Sequence, residues 1–245
     1  MATTQQKDLD ALFSVGAHFG YTRSRRHPSA AKRIFGTKDR NDIFDLEQTA
    51  ADLERAIAFV EKLAGEGKQI LIVGGKPEAA ALVKAAAGKT NLPFVASRWI
   101  GGTLTNFSEV RGRIARLLEL TRARETGERE KKYTKRERMM QDREIEELES
   151  RFGGLTSMEK LPAALFVVDP RFEDKAVREA NQLGIPVIAL ANTDCDFNML
   201  QYPIPANDSA VKSVQYFVDA FANAYRDSFR QATAAPEAPA AAPQA

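Results

Sequence analysis

With 245 residues, 44% of them hydrophobic, the chain is long enough to bury one sizeable α/β core or two small ones. Its one cysteine, Cys195, excludes an internal disulfide and fits a reducing compartment, and no stretch reaches the ~20 apolar residues that span a membrane. The net charge of +2 conceals an asymmetry: residues 22–40 carry +6, residues 111–151 carry +3, and the remainder is acidic.

The first ten residues, MATTQQKDLD, lack the apolar stretch of a signal peptide, so a cytoplasmic protein is expected. Asp8 to Val15 reads as a short helix with Leu9, Leu12 and Phe13 on one face, stopped by Gly16. The basic arm follows, rich in Ser, His and Pro, and reads as loop. IFG (34–36) and DIFDL (42–46) flank the polar turn TKDRN and predict a hairpin. Leu53, Ile57, Val60 and Leu63 recur at helical spacing before Gly65.

QILIVGG (69–75) has the continuous branched residues of a buried strand, and a helix follows from Pro77 to about Ala87. PFVAS (93–97), LFVVD (165–169) and IPVIAL (185–190) are further strands, with YPIP (202–205) a candidate fifth. Helical patterns lie between them, including 175–183, and a last helix covers about 208–230. Strand–helix alternation predicts an α/β fold: a doubly wound parallel sheet with helices on both faces.

Residues 107–159 form an insertion between the second and third of these strands. Val110, Ile114, Leu117 and Leu118 lie on one stripe, and Thr126-Gly127 breaks it. Thr134 and Glu137 make a capping box for a second helix, carried on by Met140, Ile145, Leu148 and Phe152. Two tandem helices with narrow apolar stripes predict an antiparallel coiled-coil hairpin; a solvated structural spike is the alternative. The surrounding segments, 1–106 and 160–230, make the α/β domain. The stretch 231–245 is rich in Ala and Pro and is expected to be a disordered tail.

Motifs for catalysis are weak. Ala87-Gly88-Lys89-Thr90 resembles the end of a phosphate loop, but Val83 stands where the required glycine belongs and the segment follows a helix. Two histidines, His18 and His27, make no zinc cluster. Asp194, Asp196 and Asp208 could meet at the carboxyl end of the sheet and hold Mg²⁺, but loop capping and solvation are the favoured account. The basic arm is the strongest charge signal. Arg23, Arg25, Arg26, Lys32, Arg33 and Lys38 suit phosphate and exposed bases, which points to RNA.

Residues 98–107, RWIGGTLTNF, closely resemble the signature of the ribosomal protein S-two family of bacterial type. GAHFGY, RIFGTKDRNDIFDLEQT, QILIVGGK, LGIPVIAL and YPIPANDSA agree in order, over about residues 8–230. The resemblance implies a flavodoxin-like sheet with a protruding coiled coil, and a structural constituent of the small ribosomal subunit, not an enzyme. It implies rRNA binding at the head–body junction, neighbouring small-subunit proteins as partners and, in many bacteria, a role in anchoring ribosomal protein S-one. In RWIGGTLTNF, Arg98 is the expected phosphate contact and Trp99 a packing anchor. Gly101 and Gly102 allow a tight turn, and Thr105 and Asn106 start the hairpin, with Asn106 the N-cap. The chain departs from the family at His27-Pro28, where many relatives have Asn-Pro. Many also have histidine at the position of Tyr21 and aspartate at that of Asn192; in some these form a metal pocket beside the residue matching Asp208. Both positions are neutral here, so no zinc, Mg²⁺ or other cofactor is expected. The competing readings are a flavodoxin-like nucleotide-binding enzyme, which lacks its phosphate loop here, and a coiled-coil adaptor that does not bind RNA.

Overall fold

The structure, a computed structural model, describes residues 9–127, 129 and 132–234. The central element is a five-stranded parallel sheet built from β4 (Ile70–Val73), β5 (Phe94–Val95), β6 (Ala164–Val168), β7 (Val187–Ala191) and β8 (Tyr202–Pro205). Their spatial order is β5-β4-β6-β7-β8, the order of flavodoxin-like sheets. Ile72 pairs with Phe94 on one side and Phe166 on the other, and Phe166 continues to Ile188.

Successive residues of a strand point to opposite faces, so both faces of these apolar runs need cover. Ile70, Ile72, Phe166, Ile188 and Leu190 pack against α2 (Leu46–Gly65), α3 (Pro77–Thr90) and α7 (Val211–Ala234). Phe166 stacks on Phe221 of α7 at 4.2 Å. The alternate residues Leu71, Val73, Leu165, Val167 and Ala189 face Ala176, Val177 and Ala180 of α6 (Asp174–Gln182).

A smaller antiparallel sheet, in the order β1-β3-β2, comprises β1 (Phe19–Thr22), β2 (Ile34–Lys38) and β3 (Asn41–Phe44). The predicted hairpin is β2–β3. Its turn residues Asp39 and Arg40 take φ of 50° and 69°, the two left-handed conformations of a tight hairpin turn. β1 and the 3-10 segments Arg23–Arg25, one turn, and Pro28–Arg33, two turns, replace the expected loop. At the N-terminus, residues 9–14 form helix α1, with Leu12 in the core. Phe13 is not buried with Leu12; it is exposed and stacks on His18 at 4.5 Å.

In the insertion, α4 (Phe107–Glu125) and α5 (Lys135–Phe152) pack side by side. Thr134 and Glu137 form the capping box, with the Thr134 N–H donating to the Glu137 carboxylate at 2.8 Å. The buried stripe is Val110, Ile114, Leu117 and Leu120 on α4, facing Ile145, Leu148 and Phe152 on α5. Leu118 and Met140, expected on the stripe, are exposed: each lies one helical step off the contact line. The stripe runs into the sheet core through Phe152, Leu155 and Leu104. Residues 231–234, expected in the tail, continue α7; the rest of that segment lies outside the described residues, as does Asp8.

Candidate nucleic-acid interface

The basic arm divides into anchored and unanchored cations. Arg26 donates through Nε to Asp42 at 2.7 Å, and its second contact to the same carboxylate is also hydrogen-bonded. Asp42 is fully buried on β3. Burial would raise its pKa, but the Arg26 and Thr37 hydrogen bonds overcome that and hold it below the ordinary carboxylate range. Arg33 donates to buried Asp52 at 2.9 Å, and Asp52 also holds Arg55. Arg25 donates to buried Asp194 at 2.9 Å and lies over the Tyr21 ring. Arg171 takes the same carboxylate at 3.0 Å. The arm is therefore a pinned ribbon, not a free loop, and Arg25, Arg26 and Arg33 spend charge on holding it. Arg23, Lys32, Lys38 and Arg40 are exposed and form no ion pair among the described residues. The Arg23 N–H donates to the Arg40 carbonyl at 2.9 Å, which brings two of the four together.

The segment RWIGGTLTNF is held by one carboxylate that sequence reading did not single out. Glu179 of α6 accepts from Trp99 Nε1 at 3.0 Å, and from the backbone N–H groups of Gly102, Leu104 and Thr105 at 2.8, 3.0 and 3.2 Å. The Thr105 hydroxyl adds a fifth contact at 3.3 Å. Burial alone would raise the Glu179 pKa; these donors overcome it and hold the carboxyl below its ordinary value. Trp99 is buried and packs in the sheet core, so its ring offers no stacking face to a base. Gly102 takes φ of 90° and needs glycine, whereas a Cβ on Gly101 would meet nothing within 4 Å, so only the second glycine is required by the turn. Asn106 stands at the N-cap of α4, but its side chain accepts no backbone N–H there, so it does not cap as expected. Arg98 is exposed and unpaired among the described residues.

The three aspartates weighed as metal ligands are not brought together. Asp194 is taken by the two arginines, Asp196 caps the 3-10 turn Phe197–Met199, and Asp208 lies in a separate cluster. There, at the carboxyl edge of the sheet, the Lys76 ammonium sits 3.2 Å from Asp169 and 3.5 Å from Asp208. Tyr21 hydroxyl meets Ser209 at 2.6 Å, and Asn192 Nδ2 donates to Asp208 at 2.7 Å. Burial alone would lower the Lys76 pKa; Asp208 and Asp169 overcome it and hold the ammonium well above the ordinary lysine value. Zinc does not fit this set. A phenol, an amide that already donates its N–H, and two carboxylates already engaged by a resident ammonium make a poor zinc set, and the ammonium repels a second cation. Asp169 takes φ of 61°, and its carboxylate accepts from the N–H groups of Arg171 and Phe172, a turn-forming role. Beside it, buried Glu173 accepts from the Gly75 N–H at 2.8 Å. Burial pushes its carboxyl up to about 7, against the pull of that N–H. A Cβ on Gly75 would come within 2.5 Å of the Ser97 carbonyl, so this glycine lets the strand ends close on each other. Ala87-Gly88-Lys89-Thr90 lies inside helix α3, where it cannot wrap a phosphate.

The fold and these side chains define a doubly wound α/β scaffold whose buried carboxylates Asp42, Asp52 and Asp194 are each held by arginine, and whose arm exposes four cations without an ion pair among the described residues. The family model described as ribosomal protein S2 matches residues 12–228. The small ribosomal subunit protein uS2 of Chloroherpeton thalassium is 41% identical over 223 residues, 91% of this chain and 89% of that protein. Its counterpart in Roseiflexus castenholzii is 40% identical over 216 residues, 88% of this chain and 82% of that protein. The one in Rubrobacter xylanophilus is 39% identical over 240 residues, 98% and 78% of the two chains. The chain belongs to the ribosomal protein S2 family, whose members are structural proteins and not enzymes.

Proposed function

We propose that this chain is a structural constituent of the small ribosomal subunit and binds rRNA at the head–body junction. Family membership over residues 12–228 supports the ribosomal role. The observation that carries RNA binding is the set of exposed, unpaired cations Arg23, Lys32, Lys38 and Arg40, presented by a ribbon that Arg25, Arg26 and Arg33 pin to buried carboxylates. A positioned row of cations binds phosphates without ordering itself first, which spares conformational entropy. In this reading the α/β unit spans 1–106 and 160–230. The α4–α5 pair acts as an antiparallel coiled-coil hairpin, 107–159, that adds a second contact surface. Exposed Phe13, Phe19 and Phe35 give an apolar face for a neighbouring ribosomal protein, with S-one the named candidate. The protein is ribosome-bound in the cytoplasm, and no described helix is long and apolar enough to cross a membrane. Co-sedimentation with small subunits lacking this protein tests the reading: stoichiometric recovery in the subunit fraction is expected, and failure to co-sediment at moderate salt overturns it.

A further inference from the structure

We infer that a pocket between the base of the α4–α5 pair and the carboxyl edge of the sheet is a phosphate subsite for the RNA backbone, formed by Arg98, Arg151 and Lys175. A cavity of about 460 Å³ beside Arg25 and Arg171 is a poorer candidate, because Asp174, Asp194 and Asp196 line it with as many carboxylates as there are arginines. The pocket at Arg98 holds about 400 Å³ and no carboxylate lines it. Its three cations come from three elements: the loop after β5, the last turn of α5 and the first turn of α6.

Arg98 and Lys175 have no ion-pair partner among the described residues. Arg151 pairs with Glu147 at 2.8 Å, but both side chains are more than half exposed, and such surface pairs are readily exchanged. The backbone that carries Arg98 is fixed from three sides. Glu179 gathers Trp99, Gly102, Leu104 and Thr105; Ser97 Oγ donates to the Ser150 carbonyl at 3.2 Å; and the Ser97 carbonyl lies against Gly75. A rigid concavity with three cations and no carboxylate in its lining, where only the exposed Glu147 pair on Arg151 competes, favours an anion. The adjacent tryptophan is buried, so the site takes a phosphate and not a stacked base.

This subsite rests on the rRNA-binding reading above, and the test separates the two. Small subunits lacking the protein are titrated at several salt concentrations with the wild type, with Arg98→Ala/Arg151→Ala/Lys175→Ala, and with Lys62→Ala/Lys84→Ala/Lys212→Ala. The last removes equal charge from the opposite helices. Thermal melting checks that each variant is folded. The pocket variant is expected to flatten the slope of log affinity against log salt by about 0.7–0.9, one phosphate contact, while the control leaves it unchanged. Wild type that does not bind subunits overturns the rRNA reading itself. Wild type that binds, with a pocket variant identical to it, overturns the subsite alone, as does a control that loses as much slope. Calorimetry with inorganic phosphate adds a further arm: binding there, lost in the pocket variant while subunit affinity is kept, reassigns the pocket to a free anion and overturns its role on RNA.

Discussion

Glu179→Gln isolates the contribution of the carboxylate that holds RWIGGTLTNF. One oxygen of Glu179 serves the Trp99 indole and the Gly102 N–H; the other serves Leu104, Thr105 and the Thr105 hydroxyl. A glutamine must turn its NH₂ toward one of these groups, setting donor against donor. In the milder orientation Trp99 and Gly102 lose their acceptor. Each buried donor left unsatisfied costs ~1–3 kcal/mol, and the three remaining bonds fall from charged to neutral strength, so a loss of about 3 kcal/mol is expected. The chain's single tryptophan is the residue at stake, so its fluorescence reports on this loop alone. Urea unfolding at neutral pH, followed by circular dichroism and by emission, should show a lower midpoint and a red-shifted native spectrum. The pH dependence adds a sign. Glu179 is held below its ordinary 4.5, so its contribution is present above that pH and lost as pH falls through the depressed folded value. The variant should lack that acid-side loss. An unchanged midpoint together with an unchanged spectrum would refute the assignment of Glu179 as the loop's anchor.

Glu173 has the opposite sign: its carboxyl is raised from 4.5 to about 7, so stability falls as pH rises between those values, by about 3 kcal/mol in total. Glu173→Gln should therefore be more stable than wild type at pH 8 and nearly equal to it at pH 4, and equal chemical stability of the two at pH 8 would contradict this. Arg26→Ala leaves Asp42 buried without its partner and should lower stability by about 3–5 kcal/mol, whereas replacing Arg23, Lys32, Lys38 and Arg40 by Ala should leave the melting temperature near wild type and weaken subunit binding. If the four-fold variant binds subunits like wild type, the arm is not the phosphate contact. With Lys76 between Asp169 and Asp208, elemental analysis of the purified protein should find no stoichiometric zinc; one zinc per chain would contradict the fit argument.

The parallel sheet was legible because its strands are buried on both faces: ILIV, ALFVV and VIALA leave only one interpretation of their continuous apolar runs. The capping box at Thr134 and Glu137 was legible because it is local. What sequence missed is long-range pairing between charged groups. Nothing in the spacing tells Arg26, tied to Asp42, from Arg23, left in solvent, because both are arginines in a basic run. Glu179 lies 80 positions from Trp99, and Lys175 and Arg151 meet Arg98 only through the fold. Leu118 and Met140 were placed on the hairpin stripe because a narrow stripe leaves neighbouring positions indistinguishable by hydrophobicity. β1 was missed because four residues of FGYT carry little periodicity.

The position of α7 has a consequence for how the chain is made. It covers both α2 and α3, and with Phe217, Val218 and Phe221 it closes the layer that also holds Val60 and Val83. Val211 follows Gly65 by 146 residues. At translation rates of ~5–20 residues per second, the apolar side of α2 waits roughly 7–30 s for its cover. During that interval the nascent chain carries an open greasy face that invites chaperones or self-association. A product released before α7 should be handled by the cell as an unfinished protein, although most of its sheet is already present.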